Sequence, residues 1–113
     1  MITLEKLKAA GYVQFSMGVS GYALFLMDKR IEDEVGIKYA IHIDVFPAYP
    51  NQEPGTYNFQ PQAQFNGMKD LSDRATANMI YLTDKDSTIE DVEKFFEEAW
   101  VFMGCPYYER FQD

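Results

Sequence analysis

The sequence predicts an α+β fold: an antiparallel sheet of about five strands, with a short N-terminal helix and a long C-terminal amphipathic helix packed on one face. Three observations carry that expectation. Apolar and polar residues alternate in short runs between residues 12 and 83, separated by glycine, proline and acidic turn signals. Ile89, Val92, Phe96, Ala99, Trp100 and Met103 recur at the spacing of one helical stripe. Finally, 113 residues provide for one hydrophobic core, so the chain is expected to form one domain over 1–113.

The elements follow in order. Thr3 can cap a first helix, with Ile2 and Leu7 as a hydrophobic staple and Gly11 as its stop. Tyr12–Met17 alternates, with Val13, Phe15 and Met17 on one side and Gln14 and Ser16 on the other. Gly18-Val19-Ser20-Gly21 suits a hairpin turn, because glycine reaches positive φ without strain. Tyr22–Ile31 begins apolar on both sides, as a central strand does. After an acidic turn, Ile37–Phe46 sets Tyr39, Ile41, Ile43 and Val45 against Ala40, His42, Asp44 and Phe46. A proline-rich loop over 47–55 leads to Thr56–Phe65, where Tyr57, Phe59, Ala63 and Phe65 oppose Asn58, Gln60, Gln62 and Gln64. Pro61 lacks a ladder donor and predicts an edge position for this strand. A polar connection over 66–75 precedes a last strand, Ala77–Thr83. Ser87-Thr88-Ile89-Glu90 then fits a capping box with Ser87 as the cap, and Gly104 with Pro106 ends the second helix. Its stripe is expected to pack on Tyr39, Ile41, Ile43 and Val45.

Composition excludes several function classes. Eighteen acids against ten Lys and Arg give a net charge of −8, which argues against direct nucleic-acid binding, since that begins with basic groups displacing counterions. One cysteine and one histidine exclude a disulfide framework and a Cys/His zinc site. Residues 9–27 carry no charge, yet Gly11, Gln14, Ser16, Gly18, Ser20 and Gly21 interrupt them, so neither a signal segment nor a membrane span is expected. A cytoplasmic location follows as the expectation.

Residues 28–46, from Asp28-Lys29-Arg30 to Asp44-Val45-Phe46, resemble a segment of small uncharacterised proteins of bacterial phages and integrated mobile elements. So does Thr88-Ile89-Glu90-Asp91-Val92-Glu93-Lys94-Phe95-Phe96, followed by Trp100, Met103-Gly104 and Tyr107-Tyr108. The two stretches cover about a third of the chain; where that family's pattern would place a bulky aromatic after Tyr39, this chain has Ala40. The resemblance implies a phage or prophage accessory protein and brings no activity, cofactor or catalytic residue with it.

Few constellations carry chemistry. His42 and Asp44 lie two apart on a strand and share a face, the placement an acid/base pair would need. Cys105 follows a helix C-terminus, where the negative end of the dipole is a poor setting for a nucleophilic sulfur. Asp84, Asp86, Glu90 and Asp91 lack the glycine and ligand spacing of a calcium loop, and no glycine-rich phosphate cradle is present. No cofactor or metal is therefore expected. Over 84–98, seven acids oppose Lys85 and Lys94, a net of −5. Glu90, Asp91, Glu93, Glu97 and Glu98 are expected to face away from the apolar stripe and form a surface for a basic protein partner. Gln14, His42, Asp44, Gln60, Gln62 and Gln64 form the alternative surface, the sheet face that one helix leaves open. Three function classes stay open: a small acidic non-enzymatic binding or inhibitor protein, a self-associating structural or assembly protein forming homodimers, and a small enzyme using His42 and Asp44.

Overall fold

The computed structural model describes residues 1–15, 23–66 and 76–110. Its elements run α1 (Leu4–Ala9), β1 (Val13–Phe15), β2 (Phe25–Glu32), β3 (Gly36–Phe46), β4 (Asn58–Asn66), β5 (Thr76–Ile80), α2 (Ile89–Phe102) and β6 (Glu109–Arg110). The strands pair antiparallel in the order β1-β2-β3-β4-β5, an α+β meander, and β6 adds to β3. The expected hairpin turn at 18–21, with Ser16, Met17 and Tyr22, and most of the 66–75 connection lie outside the described residues.

Both helices begin and end by local rules. The Thr3 side chain accepts from the Lys6 amide, and Ile2 and Leu7 are buried as the staple requires. At the other end, the Gly11 amide donates to the Lys8 carbonyl and the Tyr12 amide to the Leu7 carbonyl, with Gly11 at φ 98°. This is the paired closure of a Schellman motif. Helix α2 ends the same way: the Gly104 amide donates to Val101 and the Cys105 amide to Trp100, with Gly104 at φ 91°. Its start differs from expectation by one residue. Thr88, not Ser87, is the cap, and Asp91, not Glu90, closes the box. The Ser87 hydroxyl is already engaged with Asp84, accepting from the Asp84 amide at 2.9 Å, which leaves the Thr88 hydroxyl to bind the Asp91 amide.

The core lies between the sheet and the helices. Tyr39, Ile41, Ile43 and Val45 of β3 join Ile89, Val92, Phe96 and Trp100 of α2 in one buried cluster, and Met103 packs at its margin. Leu7, Tyr12, Met27, Ala63 and Phe65 complete it. Packing of α2 on one face of the sheet is therefore as the stripe predicted.

Three strand details correct the sequence reading. First, β4 is not an edge strand; it lies between β3 and β5. The Pro61 carbonyl accepts from the Tyr81 amide on the β5 side, so the missing donor points that way too, where the β5 ladder ends at the Gln62–Ile80 pair. The β3–β4 ladder loses nothing, and Pro61 is fully buried. Second, Val13 is not on the buried side of β1. It pairs with Asp28 and is 64% exposed, because the Gly11 turn delivers Tyr12 to the core instead. Third, Ile31 pairs with Tyr39 but Glu32 pairs with Ile37, so Lys38 is one residue in excess. This bulge breaks the alternation of β3: Lys38 reaches α2 alongside Tyr39, and Ile37 turns to the opposite face beside Ala40 and His42. Strand β6 is not legible in the sequence, since two residues carry no period.

Candidate functional site

The acids of α2 divide into two sets. Glu90, Asp91 and Glu98 are exposed, although the Asp91 carboxylate also accepts from the Thr88 amide as part of the cap. Glu93 and Glu97 are not free surface acids facing away from the sheet. Glu93 Oε2 accepts from Lys29 Nζ at 2.7 Å and from the Tyr12 hydroxyl at 3.1 Å. One helical turn on, Glu97 accepts from Lys38 Nζ, at 2.6 Å to Oε1, and from the Tyr39 hydroxyl at 3.2 Å. Lys38 also sits 4.2 Å from the centre of the Trp100 ring, a cation–π contact. Two repeats of lysine, glutamate and tyrosine thus tie α2 to the sheet. Burial first, and then the neighbouring glutamate charge, raises both phenols well above the usual tyrosine range. The i, i+4 spacing of Glu93 and Glu97 is readable in the sequence; the lysines opposite them are not, because the bulge decides where Lys38 points.

The other face of the sheet carries a polar array. On it the register aligns Asp28 of β2, His42 of β3 and Gln62 of β4 in one row, and Leu26, Asp44 and Gln60 in the next. His42 Nδ1 lies 3.8 Å from Asp28 Oδ2. Asp44 is 7% exposed, and its Oδ2 accepts from the Gln62 amide at 3.1 Å. Thus the carboxylate in contact with the imidazole is Asp28, across the register, while Asp44 is held by Gln62. Desolvation pushes both Asp28 and Asp44 above their ordinary value, against the opposing pull of His42 on both and of Arg30 on Asp28. Gln60, Gln62 and Gln64 share this face as expected, whereas Gln14 pairs with the core residue Met27 and so belongs to the helix-side face at the sheet margin. The alternation placed Gln14 wrongly for the reason given for Val13: β1 enters through the Gly11 turn one residue out of phase.

Two further regions lay beyond sequence reasoning. A cleft of about 480 Å³ runs between residues 1–5, the 52–59 segment and 83–85, at the end of the sheet. A smaller cup of about 280 Å³ lies on the open face around Ala40. Asp28 and Arg30 of that cup could have been found from their two-residue spacing on β2; Ile37 and Tyr108 arrive there only through the bulge and β6. Cys105 is an exposed free thiol at φ 58°, placed by the closing turn of α2. Among the described residues no group of three or more His, Cys, Asp or Glu is arranged to hold a metal ion, and no helix is long and apolar enough to cross a membrane. No family model, curated protein or solved structure matches the chain.

Proposed function

We propose that this protein is a non-enzymatic binding protein that docks on a basic protein surface through the face of its sheet opposite the helices. The observation that carries the reading is the pair Asp28 and Asp44. Both are carboxylates drawn partly out of water on that face: Asp44 is held by a glutamine amide, and Asp28 by an imidazole at 3.8 Å and by the charge of Arg30 beyond ion-pair distance. A lysine or arginine brought by a partner would relieve a desolvation cost that nothing in the chain fully offsets. On the helix side, by contrast, Glu93 and Glu97 already hold lysines, leaving Glu90, Asp91 and Glu98 as a sparser patch. The net charge of −8 steers a basic partner toward either face. The likeness of 28–46 and 88–108 to phage and mobile-element proteins supports an accessory or inhibitory role against a bacterial protein.

The test is affinity capture from bacterial lysate with three forms of the chain. Wild type retains a basic protein; Asp28→Asn with Asp44→Asn loses it; Glu90→Gln with Glu98→Gln keeps it. The reverse pattern moves the contact to α2, and capture indifferent to both pairs ends the reading. A pH-dependent catalytic activity abolished by His42→Ala would replace it with an enzyme.

A further inference from the structure

The open face contains a depression whose origin is a single small side chain. Ala40 occupies the middle of β3 between Arg30 of β2 and Gln64 of β4, its two register partners. With only a methyl group there, the longer neighbours stand as walls around a cup of about 280 Å³. His42 and Asp28 close one end. At the other end the β3 bulge turns Ile37 outward, and β6 brings up Tyr108, whose amide donates to the Ile37 carbonyl at 2.7 Å.

The charges in this cup are opposite and unpaired with each other. Arg30 and Asp28 are two residues apart on one strand and line the same cavity, yet no ion pair joins them. Among the described residues the Arg30 guanidinium makes neither a hydrogen bond nor a salt bridge, and the Gln64 amide and Tyr108 hydroxyl are likewise without partners. Asp28 has the histidine contact at 3.8 Å and feels the Arg30 charge only from beyond ion-pair distance. A planar guanidinium with a free donor fork is suited to a carboxylate, and an adjacent amide and phenol add donors. A half-buried carboxylate one strand repeat away, about 7 Å along the backbone, is suited to an ammonium group. Ile37 and the Tyr108 ring line the apolar end of the cup. The volume is below the range of drug-sized ligand sites, which restricts the occupant to a small molecule.

We infer that the cup around Ala40 binds a small amino carboxylate, its carboxylate on Arg30 with Gln64 and Tyr108, its ammonium on Asp28, and its apolar side chain against Ile37. The inference shares Asp28 with the protein-docking reading, but its test titrates a small molecule with no protein partner present, so either can fail while the other stands.

The test is a titration of the intact chain, followed by ¹⁵N–¹H NMR, with L-leucine and its two half-molecules, isocaproate and isoamylamine. Leucine should bind at least tenfold more tightly than either half, with shifts concentrated at residues 28–30, 37–42, 64 and 108. Arg30→Gln and Ala40→Leu, the second filling the cup, should each weaken leucine at least tenfold, while Glu98→Gln on the far helix leaves it unchanged. Thermal midpoints near wild type show that each variant is folded, and Arg30→Gln serves should Ala40→Leu fail to fold. Leucine binding no better than its halves overturns the inference, as does leucine binding that survives the loss of Arg30.

Discussion

Glu93 and Glu97 each accept hydrogen bonds from two groups far away in sequence, and removing their charge should therefore be felt in folding as well as at the surface. Each pair is partly exposed, so screening holds the contribution to about 1 kcal/mol. Glu93→Gln and Glu97→Gln should each lower the unfolding free energy by about that amount in urea titrations, whereas Glu90→Gln, exposed and outside the cap, should change it by no more than about 0.5 kcal/mol. Asp44 acts in the opposite sense. Burial raises its folded value above the ordinary 3.8, so the folded chain holds that proton more firmly than the unfolded one. Its contribution is favourable below 3.8 and is lost as pH rises through the folded value. Asp44→Asn should consequently be more stable than wild type at neutral pH, with the difference shrinking as pH falls toward 3.8. Asp33, lowered chiefly by the Tyr107 hydroxyl at 2.8 Å, has the reverse sign and loses its contribution as pH falls. Unfolding midpoints of the Asp44→Asn chain and wild type across this range check the sign directly.

Helix α2 is the element on which the core depends. Phe96 is fully buried in its centre and contacts Phe95 edge-on at 5.2 Å between ring centres. Phe96→Ala should cost about 3–5 kcal/mol, the range for an emptied phenylalanine site, and calorimetry should show it as a lowered midpoint. An unchanged midpoint would detach α2 from the core. The ends of α2 follow from residues that act within one turn: Thr88 with Asp91 at the start, Gly104 at the stop. Beyond the stop, the Trp100 indole donates to the Pro106 carbonyl at 2.7 Å and meets the Tyr107 ring at 5.4 Å. The chain after the helix is thereby folded back toward β3, where β6 forms.

For the whole molecule, charge governs approach and shape governs contact. A net charge of −8 acts over the screening length, which shrinks from about 30 Å at 0.01 M salt to about 8 Å at 0.15 M. Association with a basic partner should slow steeply across that range while dissociation changes little, as stopped-flow mixing would measure. Because α1 and α2 both join the core on one side, the opposite face is the broad surface free of helix among the described residues.

The sequence by itself determined whatever depends on neighbours in the chain. The caps at Thr3, Gly11 and Gly104, the α2 stripe and the alternation of Tyr39 to Val45 were readable because each is settled within a few residues. The antiparallel sense of the strands follows as well, since connections without a crossover helix join antiparallel neighbours, but the inner place of β4 does not. Tertiary structure decided what depends on register between distant segments. A single extra residue at Lys38 reverses the faces of Lys38 and Ile37, and so determines both that Glu97 meets a cation and that the cup around Ala40 acquires a wall. Pro61 could be called an edge residue from its missing donor alone; only the place where β5 stops shows that an inner strand tolerates it. A two-residue period gives every strand two equivalent phases, and packing against α2 selects one.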